Sequence, residues 1–181
     1  ASLAAAVAVV AVAGWSQRSA ILSRFDANAD IVPVKSGDFL YQNENRDFGV
    51  KFIERSKPSD PAVAYSWKGS TISMRLLDGA GMPARFARAE RKGVADGVAL
   101  AMREVLPWTD VEYRITGKGV KEDIVIADKG AIEMMPGDPA YVFAITLEDA
   151  KPVGRKDGSL TPYFVKASDG KTYAFHLKEP F

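Results

Sequence analysis

The chain has 181 residues, of which 47% are apolar and 26% are charged, as in an ordinary globular protein. Its 24 lysine and arginine residues nearly balance 23 aspartate and glutamate residues, so no single-signed field indicates nucleic acid or an anionic membrane as a partner. Cysteine is absent, which excludes disulfides, thiolate catalysis and cysteine-based zinc sites.

The N-terminal part of the chain differs in composition from the rest. Residues 3–14 are uncharged and apolar, a run shorter than the roughly 20 residues that span a bilayer. Small residues at Ala11 and Ala13 complete the pattern of a signal peptide with its processing site. A second interpretation extends the segment through residues 15–25 as an uncleaved anchor. Both place an apolar helix within residues 1–29 and predict export, with membrane contact through this segment alone.

From residue 30 onward, short runs alternate apolar with polar side chains and are separated by Gly, Pro and Asp, which is typical of β-strands. Residues 84–92 fit either a strand or a short helix. Near the C-terminus, Asp169-Gly170 is a hairpin signal between two further runs. The apolar positions of the main runs are Phe48, Val50 and Phe52; Val63, Tyr65 and Trp67; Ile72, Met74 and Leu76; Val98, Leu100 and Met102; Tyr141, Phe143, Ile145 and Leu147; Tyr163 and Val165; and Tyr173, Phe175 and Leu177.

The clearest hairpin lies in residues 104–126. Two alternating runs flank a turn that Gly117 and Gly119 supply. We expect the apolar side chains of both runs to face one core. These positions are Val111, Tyr113 and Ile115 on the first strand and Val120, Ile124 and Ile126 on the second, where Glu122 falls in the same alternation.

Together these patterns predict a mainly β protein, an antiparallel β-sandwich of about eight or more short strands that follows the apolar N-terminal helix. We expect a single sandwich-like domain over residues 30–181, with its C-terminal end open to continuation in a longer polypeptide.

Two motifs carry a resemblance to a known family. The sequence DVEYR at residues 110–114 is followed by GVKEDIV at residues 119–125, and the tail contains DGK and ends in PF. This order resembles a β-rich N-terminal module of large secreted bacterial proteins, especially RHS-repeat and wall-associated surface proteins, over roughly residues 45–181. The Ala- and Arg-rich residues 84–101 depart from the pattern. The resemblance implies a structural or adhesive module without catalytic residues, joined to downstream domains of the same polypeptide.

The residues that usually perform catalysis are sparse. His176 is the only histidine and lies on a predicted strand, and no Gly-x-Ser-x-Gly motif occurs. Asp157-Gly158-Ser159 and Asp169-Gly170 are explained as turns without invoking calcium. We therefore predict no catalytic residue, no metal site and no cofactor.

One group of carboxylates keeps a glycan-cleaving alternative open, because a glycosidase needs two carboxyl groups across a cleft. Lysines alternate among these acids, which favours a solvated strand face with cross-strand ion pairs. The carboxylates are Glu104, Asp110, Glu112, Glu122 and Asp123, and the interleaved lysines are Lys118 and Lys121.

Two aromatic residues are candidates for ligand contact, namely Trp108 in a Pro-Trp-Thr-Asp loop and Tyr113 on the following strand. The predicted function is a non-catalytic structural or adhesive module of a larger secreted or cell-surface bacterial protein. The alternative is a carbohydrate-binding or carboxylate-dependent glycan-cleaving β-domain. Surface glycan or protein is the expected partner, and nucleic acid is not expected.

Overall fold

The fold was determined as a computed structural model, which describes residues 6–11, 31–43, 48–95, 97–116, 119–127, 140–152, 163–166 and 172–175. These residues form strands joined by turns and loops, and they contain no helix. The strands are β1 (Ala6–Ala11), β2 (Ile31–Pro33), β3 (Phe39–Asn43), β4 (Gly49–Glu54), β5 (Ala62–Trp67), β6 (Ser70–Leu77), β7 (Arg88–Val94), β8 (Gly97–Leu106), β9 (Thr109–Thr116), β10 (Gly119–Ile126), β11 (Ala140–Glu148), β12 (Ala150–Pro152), β13 (Tyr163–Lys166) and β14 (Thr172–Phe175).

The strands are arranged in three antiparallel sheets. The largest has the order β1-β11-β6-β5-β4-β3-β2, the second has the order β10-β9-β8-β7, and a small one has the order β12-β13-β14. Most neighbouring strands are consecutive in the chain, as short turns between antiparallel strands require. The predicted mainly β, antiparallel architecture is confirmed.

The two larger sheets pack face to face around one core. Phe52 of β4 contacts Tyr113 of β9, with ring centroids 5.3 Å apart and planes tilted by 50°. Each sheet contributes the apolar side chains of one face, as the period of two along a strand dictates. From the first sheet these include Val50, Phe52, Val63, Leu76, Tyr141 and Phe143, and from the second Leu100, Met102, Val111, Tyr113 and Ile115.

The β9–β10 hairpin has the predicted inward face. Val111 pairs with Ile124, and Ile115 pairs with Val120. All four side chains belong to the core or pack against it. Tyr113 pairs with Glu122, which therefore lies on the inward side of the hairpin beside an otherwise apolar row.

Strand β8 is buried on both faces, which its alternation did not predict. Leu100 and Met102 face the core, but Ala99 and Ala101 on the opposite face are also fully buried. A contact between Lys92 of β7 and Glu112 of β9 crosses over β8. Strands β7 and β9, which flank β8, are roughly 10 Å apart. The small alanine side chains of β8 leave room for this ion pair, and the ion pair covers them.

Two expectations about chain segments are resolved. The N-terminal helix is not supported, because Ala6–Ala11 form strand β1 and pair with β11 from Ala6 opposite Ile145 to Ala11 opposite Ala140. Of the ambiguous residues 84–92, the last five begin strand β7 at Arg88. In the ranges that the structure describes, no helix is long and apolar enough to cross a membrane.

The shared core gives a stability prediction. Tyr113→Ala removes a side chain that is only 2% exposed and leaves a cavity against Phe52, so we expect the free energy of unfolding to fall by about 3 to 5 kcal/mol. Val125→Ala truncates an exposed side chain on the outward face of β10 and should change it by less than about 0.5 kcal/mol. Urea unfolding of the two variants measures both values. Equal losses would contradict the register of the hairpin.

Candidate functional site

The candidate site is a groove of about 1410 Å³ at one end of the sandwich. Its walls are the β4–β5 loop (residues 56–60), the loop after β6 (Asp78 and residues 82–85) and the β8–β9 connection (residues 103–108), with Arg88 and Glu90 of β7 beside them.

Backbone hydrogen bonds hold these loops together. The N–H of Phe86 donates to the carbonyl of Ser59 at 3.0 Å, and the N–H of Ala87 donates to the carbonyl of Arg103 at 2.9 Å. The carboxylate of Asp78 accepts the N–H groups of Ala80 and Met82, each at 2.9 Å. The loop after β6 is therefore stabilised by the side chain of its own aspartate, as in Asx-type turns.

A bulge in β8 shapes the floor of the groove. Met102 pairs with Val111 and Leu106 with Thr109, so residues 103–105 of β8 lie opposite Asp110 alone. Asp110 stabilises the bulge because its Oδ1 accepts the N–H of Glu104 at 2.8 Å and its Oδ2 accepts Nη1 of Arg103 at 2.7 Å. Glu104 adopts a left-handed backbone conformation with φ of 57°. Bulges of this kind redirect side chains at sheet ends.

Trp108 stands at the rim of the groove on a strained turn. Pro107 and Trp108 connect the paired residues Leu106 and Thr109, and φ of Trp108 is 54°. A type II turn commonly has proline as its second residue and a residue with positive φ as its third. Pro107 and Trp108 occupy these two positions, and glycine is the usual third residue. The left-handed conformation costs a side chain such as tryptophan about 1 to 2 kcal/mol. Trp108 is nonetheless 52% exposed and does not belong to the core that the described residues form, so packing there does not offset this cost.

Arg103 is the centre of a charge network on the outward face of the four-stranded sheet. Its guanidinium donates to Glu90 at 2.6 Å and to Glu112 at 3.2 Å, in addition to Asp110. The hydrogen bonds that Arg103 donates to Asp110 and then to Glu90 raise the pKa of Arg103, and the bond to Glu90 lowers the pKa of that carboxyl group. Such charge-assisted bonds fix the orientation of planar groups.

A second cluster lies further along the same face. Arg114 contacts Asp123, and Lys121 donates to Asp123 at 2.9 Å. Partial burial raises the pKa of Asp123, but the hydrogen bonds from Arg114 and Lys121 outweigh it and the pKa is lowered. Arg114 and Asp123 therefore form an ion pair between β9 and β10, whereas the predicted Lys121 reaches an acid of its own strand and Lys118 lies outside the described residues.

The five carboxylates that the sequence placed together separate into three environments. Glu104 and Asp110 line the groove, whereas Glu112 and Asp123 lie on the outward face of the sheet. Glu112 is not on a solvated face as expected, since Lys92 and Arg103 cover it and leave it 9% exposed.

Glu122 differs from the other four because it lies on the inward face of the edge strand β10. Burial raises its pKa to about 7, a hydrogen bond with Tyr113 lowers it, and the charge of Asp123 raises it. Burial, and then the charge of Glu122, also raise the pKa of Tyr113 and of Tyr65. An inward-facing charge is one way in which an edge strand avoids pairing with other chains, and this structural role explains Glu122 without a ligand.

Of the two predicted ligand contacts, the structure brings only Trp108 to the groove. Tyr113 as a ligand contact is corrected, because its side chain is buried between the sheets against Phe52. Met82, 63% exposed on the loop after β6, is a groove residue that the sequence analysis missed. Its place in a loop rich in glycine gave no signal, because only the fold brings that loop beside Trp108.

Metal and turn candidates fall largely outside the described ranges. The described ranges do not include His176, Asp157-Gly158-Ser159 or Asp169-Gly170. Within the described part of the chain, no three His, Cys, Asp or Glu side chains are grouped so that they could hold a metal ion.

Comparison with known proteins finds no family model, no curated protein and no solved structure that matches this chain.

The position of Glu122 predicts a pH dependence of stability. Its pKa of about 7 in the folded protein exceeds the ordinary value of 4.5, so the folded state binds more protons between these two values. The free energy of unfolding should therefore fall as pH rises through this interval, by up to about 3 kcal/mol, and level off above it. The pKa values of Glu90 and Asp123 are lowered from their ordinary values of 4.5 and 3.8. These two groups have the opposite effect, because the stability they contribute is lost as pH falls below those ordinary values.

We expect Glu122→Gln to remove most of this fall, and Glu148→Gln, on an exposed carboxylate, to preserve it. Urea unfolding at pH values from about 4.5 to about 8 measures the slopes. The same slope in wild type and Glu122→Gln would refute the assignment.

Proposed function

We propose that this protein is a non-catalytic, adhesive binding module of a larger secreted or cell-surface bacterial protein, and that it holds a surface glycan in the groove beside Trp108. The observation that carries the proposal is the exposed tryptophan ring on a turn that disfavours tryptophan. Backbone strain of this kind concentrates at functional sites. An indole ring offers a flat apolar face to a sugar ring and an N–H donor to its hydroxyl groups.

The surroundings of Trp108 support binding of an extended ligand. Met82 provides a second exposed apolar side chain in the lining of the groove, to which three loops also contribute polar groups. Ligand sites typically combine an apolar surface with a few polar groups that fix orientation. At about 1410 Å³ the groove is larger than the roughly 300 to 1,000 Å³ of typical small-molecule pockets, which suits a longer ligand.

The glycan-cleaving alternative receives less support from the geometry. A glycosidase pairs a carboxylic acid of raised pKa with an ionised carboxylate across one cleft. Among the described residues, the carboxyl group with a raised pKa is that of Glu122, on the inward face of β10 and not among the residues that line the groove. Asp110, within the groove, is already bonded to Arg103 and Glu104. Release of reducing ends that stops on Asp110→Asn or Glu104→Gln would favour cleavage.

Substitution of Trp108 tests the proposal. Trp108→Gly removes the ring and places glycine at a positive φ, so we expect unfolding stability to stay constant or rise by about 1 kcal/mol while affinity for a bound polysaccharide falls about tenfold or more. Trp108→Phe retains a ring at the same backbone angle and should keep most of the binding. A polysaccharide panel in gel-retardation assays, with thermal melts of each variant, gives both readouts. Undiminished binding by the glycine variant would refute the proposal.

Export gives a separate prediction. If the apolar residues 3–14 act as a signal peptide with processing near Ala13, the exported protein lacks strand β1 and strand β11 becomes an edge of the large sheet. We expect mass spectrometry of secreted protein to find an N-terminus near residue 14. Secreted protein that still carries Ala6–Ala11 would indicate instead that the segment is retained as part of the sheet.

A further inference from the structure

Strand β10 connects Glu122 with the groove. It is an edge strand that pairs with β9 alone, and none of its eight residues is fully buried. Segments with few buried contacts open more easily than the core of a fold does. A single unfavourable side chain can therefore shift the equilibrium of β10 between a packed and an open state.

Glu122 is such a side chain. It lies opposite Tyr113 of β9, and its carboxyl group accepts a hydrogen bond from the hydroxyl of that tyrosine. Tyr65 of β5, in the larger sheet, is near enough for the charge of Glu122 to raise its pKa. The neighbouring Asp123 adds a second negative charge, and no cation in the described part of the chain forms an ion pair with Glu122. The groups around this carboxyl are therefore neutral or negative, which favours its neutral form.

The C-terminal end of β10 holds the turn that carries Trp108. Ile126, the last residue of the strand, pairs with Thr109, and the following residue, Ala127, lines the groove. The N–H of Ala127 donates to the carbonyl of Trp108 at 2.9 Å. This bond is lost when β10 separates from β9, and the strained turn then keeps fewer of the contacts that determine its conformation.

Resting on the proposed function, we propose that Glu122 makes the groove sensitive to pH through β10. While the carboxyl group is neutral, β10 stays packed on β9 and Ala127 holds the Trp108 turn in its binding conformation. When the carboxyl group ionises, the edge strand opens to let water reach it, Ala127 releases Trp108 and the affinity for glycan falls. The protein therefore holds its ligand at mildly acidic pH and releases it as the pH rises above neutral.

Hydrogen exchange of the full chain from about pH 5 to about pH 8 measures the opening of β10. The carboxyl group of Glu122 has a pKa of about 7 when β10 is packed and the ordinary value of 4.5 when water surrounds it. The packed state therefore binds more protons, and the opening constant should rise about seventyfold over this range. The reporters are the amides of β10 and of Ala127, after correction for the intrinsic pH dependence of exchange.

The amides of β4 and β5, inside the larger sheet, distinguish local opening from unfolding of the whole protein. They exchange when the fold as a whole opens, so at about pH 8 their opening constants should be about tenfold or more below those of β10. Equal opening constants in all three strands would overturn the proposal, because Glu122 would then act on global stability alone. An opening constant of β10 that does not change with pH would overturn it as well.

Two variants separate the ionisation from the link to the groove. Glu122→Gln keeps an oxygen acceptor opposite Tyr113 but cannot ionise, so the opening of β10 should no longer depend on pH. Glu148→Gln changes an exposed carboxylate of β11 and should behave as the wild type does. Ala127→Pro removes the N–H that holds Trp108. This variant should bind glycan at about pH 6 as weakly as the wild type does at about pH 8, while the opening of β10 still responds to pH.

Affinity is measured by gel retardation with dextran, xyloglucan and galactomannan, which are uncharged polymers and do not themselves titrate. We expect the affinity of the wild type to fall about threefold or more between pH 6 and pH 8, and that of Glu122→Gln to stay constant. Equal affinity of the wild type at both pH values would overturn control of the groove and leave glycan binding intact. Absence of binding to every polysaccharide would refute the proposed function, and hydrogen exchange would then decide separately whether Glu122 controls β10.

Discussion

The contact between Arg103 and Asp110 connects the sheet with the groove. Asp110 is the residue of β9 that faces the three-residue bulge of β8, and its two oxygens hold the side chain of one bulge residue and the backbone of the next. The same arginine extends to Glu90 on β7 and Glu112 on β9, so the bulge is tied to both neighbouring strands. Loss of the contact between Arg103 and Asp110 would shift the β8–β9 turn and therefore the position of Trp108.

Much of the fold follows from alternation in the sequence, because a period of two assigns every second side chain to one face. Val111, Tyr113 and Ile115 therefore identified the inward face of β9 correctly. Alternation could not reveal that the alanines of β8 are buried on the other face, since that depends on long charged side chains from two other strands. It also could not show that Ala6–Ala11 pair with β11, about 130 residues further along the chain, because an apolar run fits a strand as well as a helix.

The site was less accessible to sequence reasoning than the fold. Trp108 stood out because its loop contains proline and a lone aromatic, but neighbours in sequence are poor guides to neighbours in a groove. Tyr113, five residues away, points between the sheets, whereas Met82 and Arg85 reach the groove from a different loop. The five carboxylates are close in sequence but lie in different environments, because the bulge and the pleat of the strands direct their side chains differently. Glu122 lies beside Tyr113 because of the register between β9 and β10.

The turn that carries Trp108 keeps its unfavourable backbone angle because several contacts determine it together. Thr109 is fully buried and its hydroxyl donates to the carbonyl of Pro107, while the carbonyl of Trp108 accepts the N–H of Ala127 at 2.9 Å. Proline restricts the preceding step of the turn, so little conformational freedom remains to be lost when a ligand binds. Under the proposed function, an aromatic side chain held in this way would be exposed before a ligand binds. The strain at Trp108 is then part of the free energy that preorganises the groove, and the well-packed sheets beneath it make that strain tolerable.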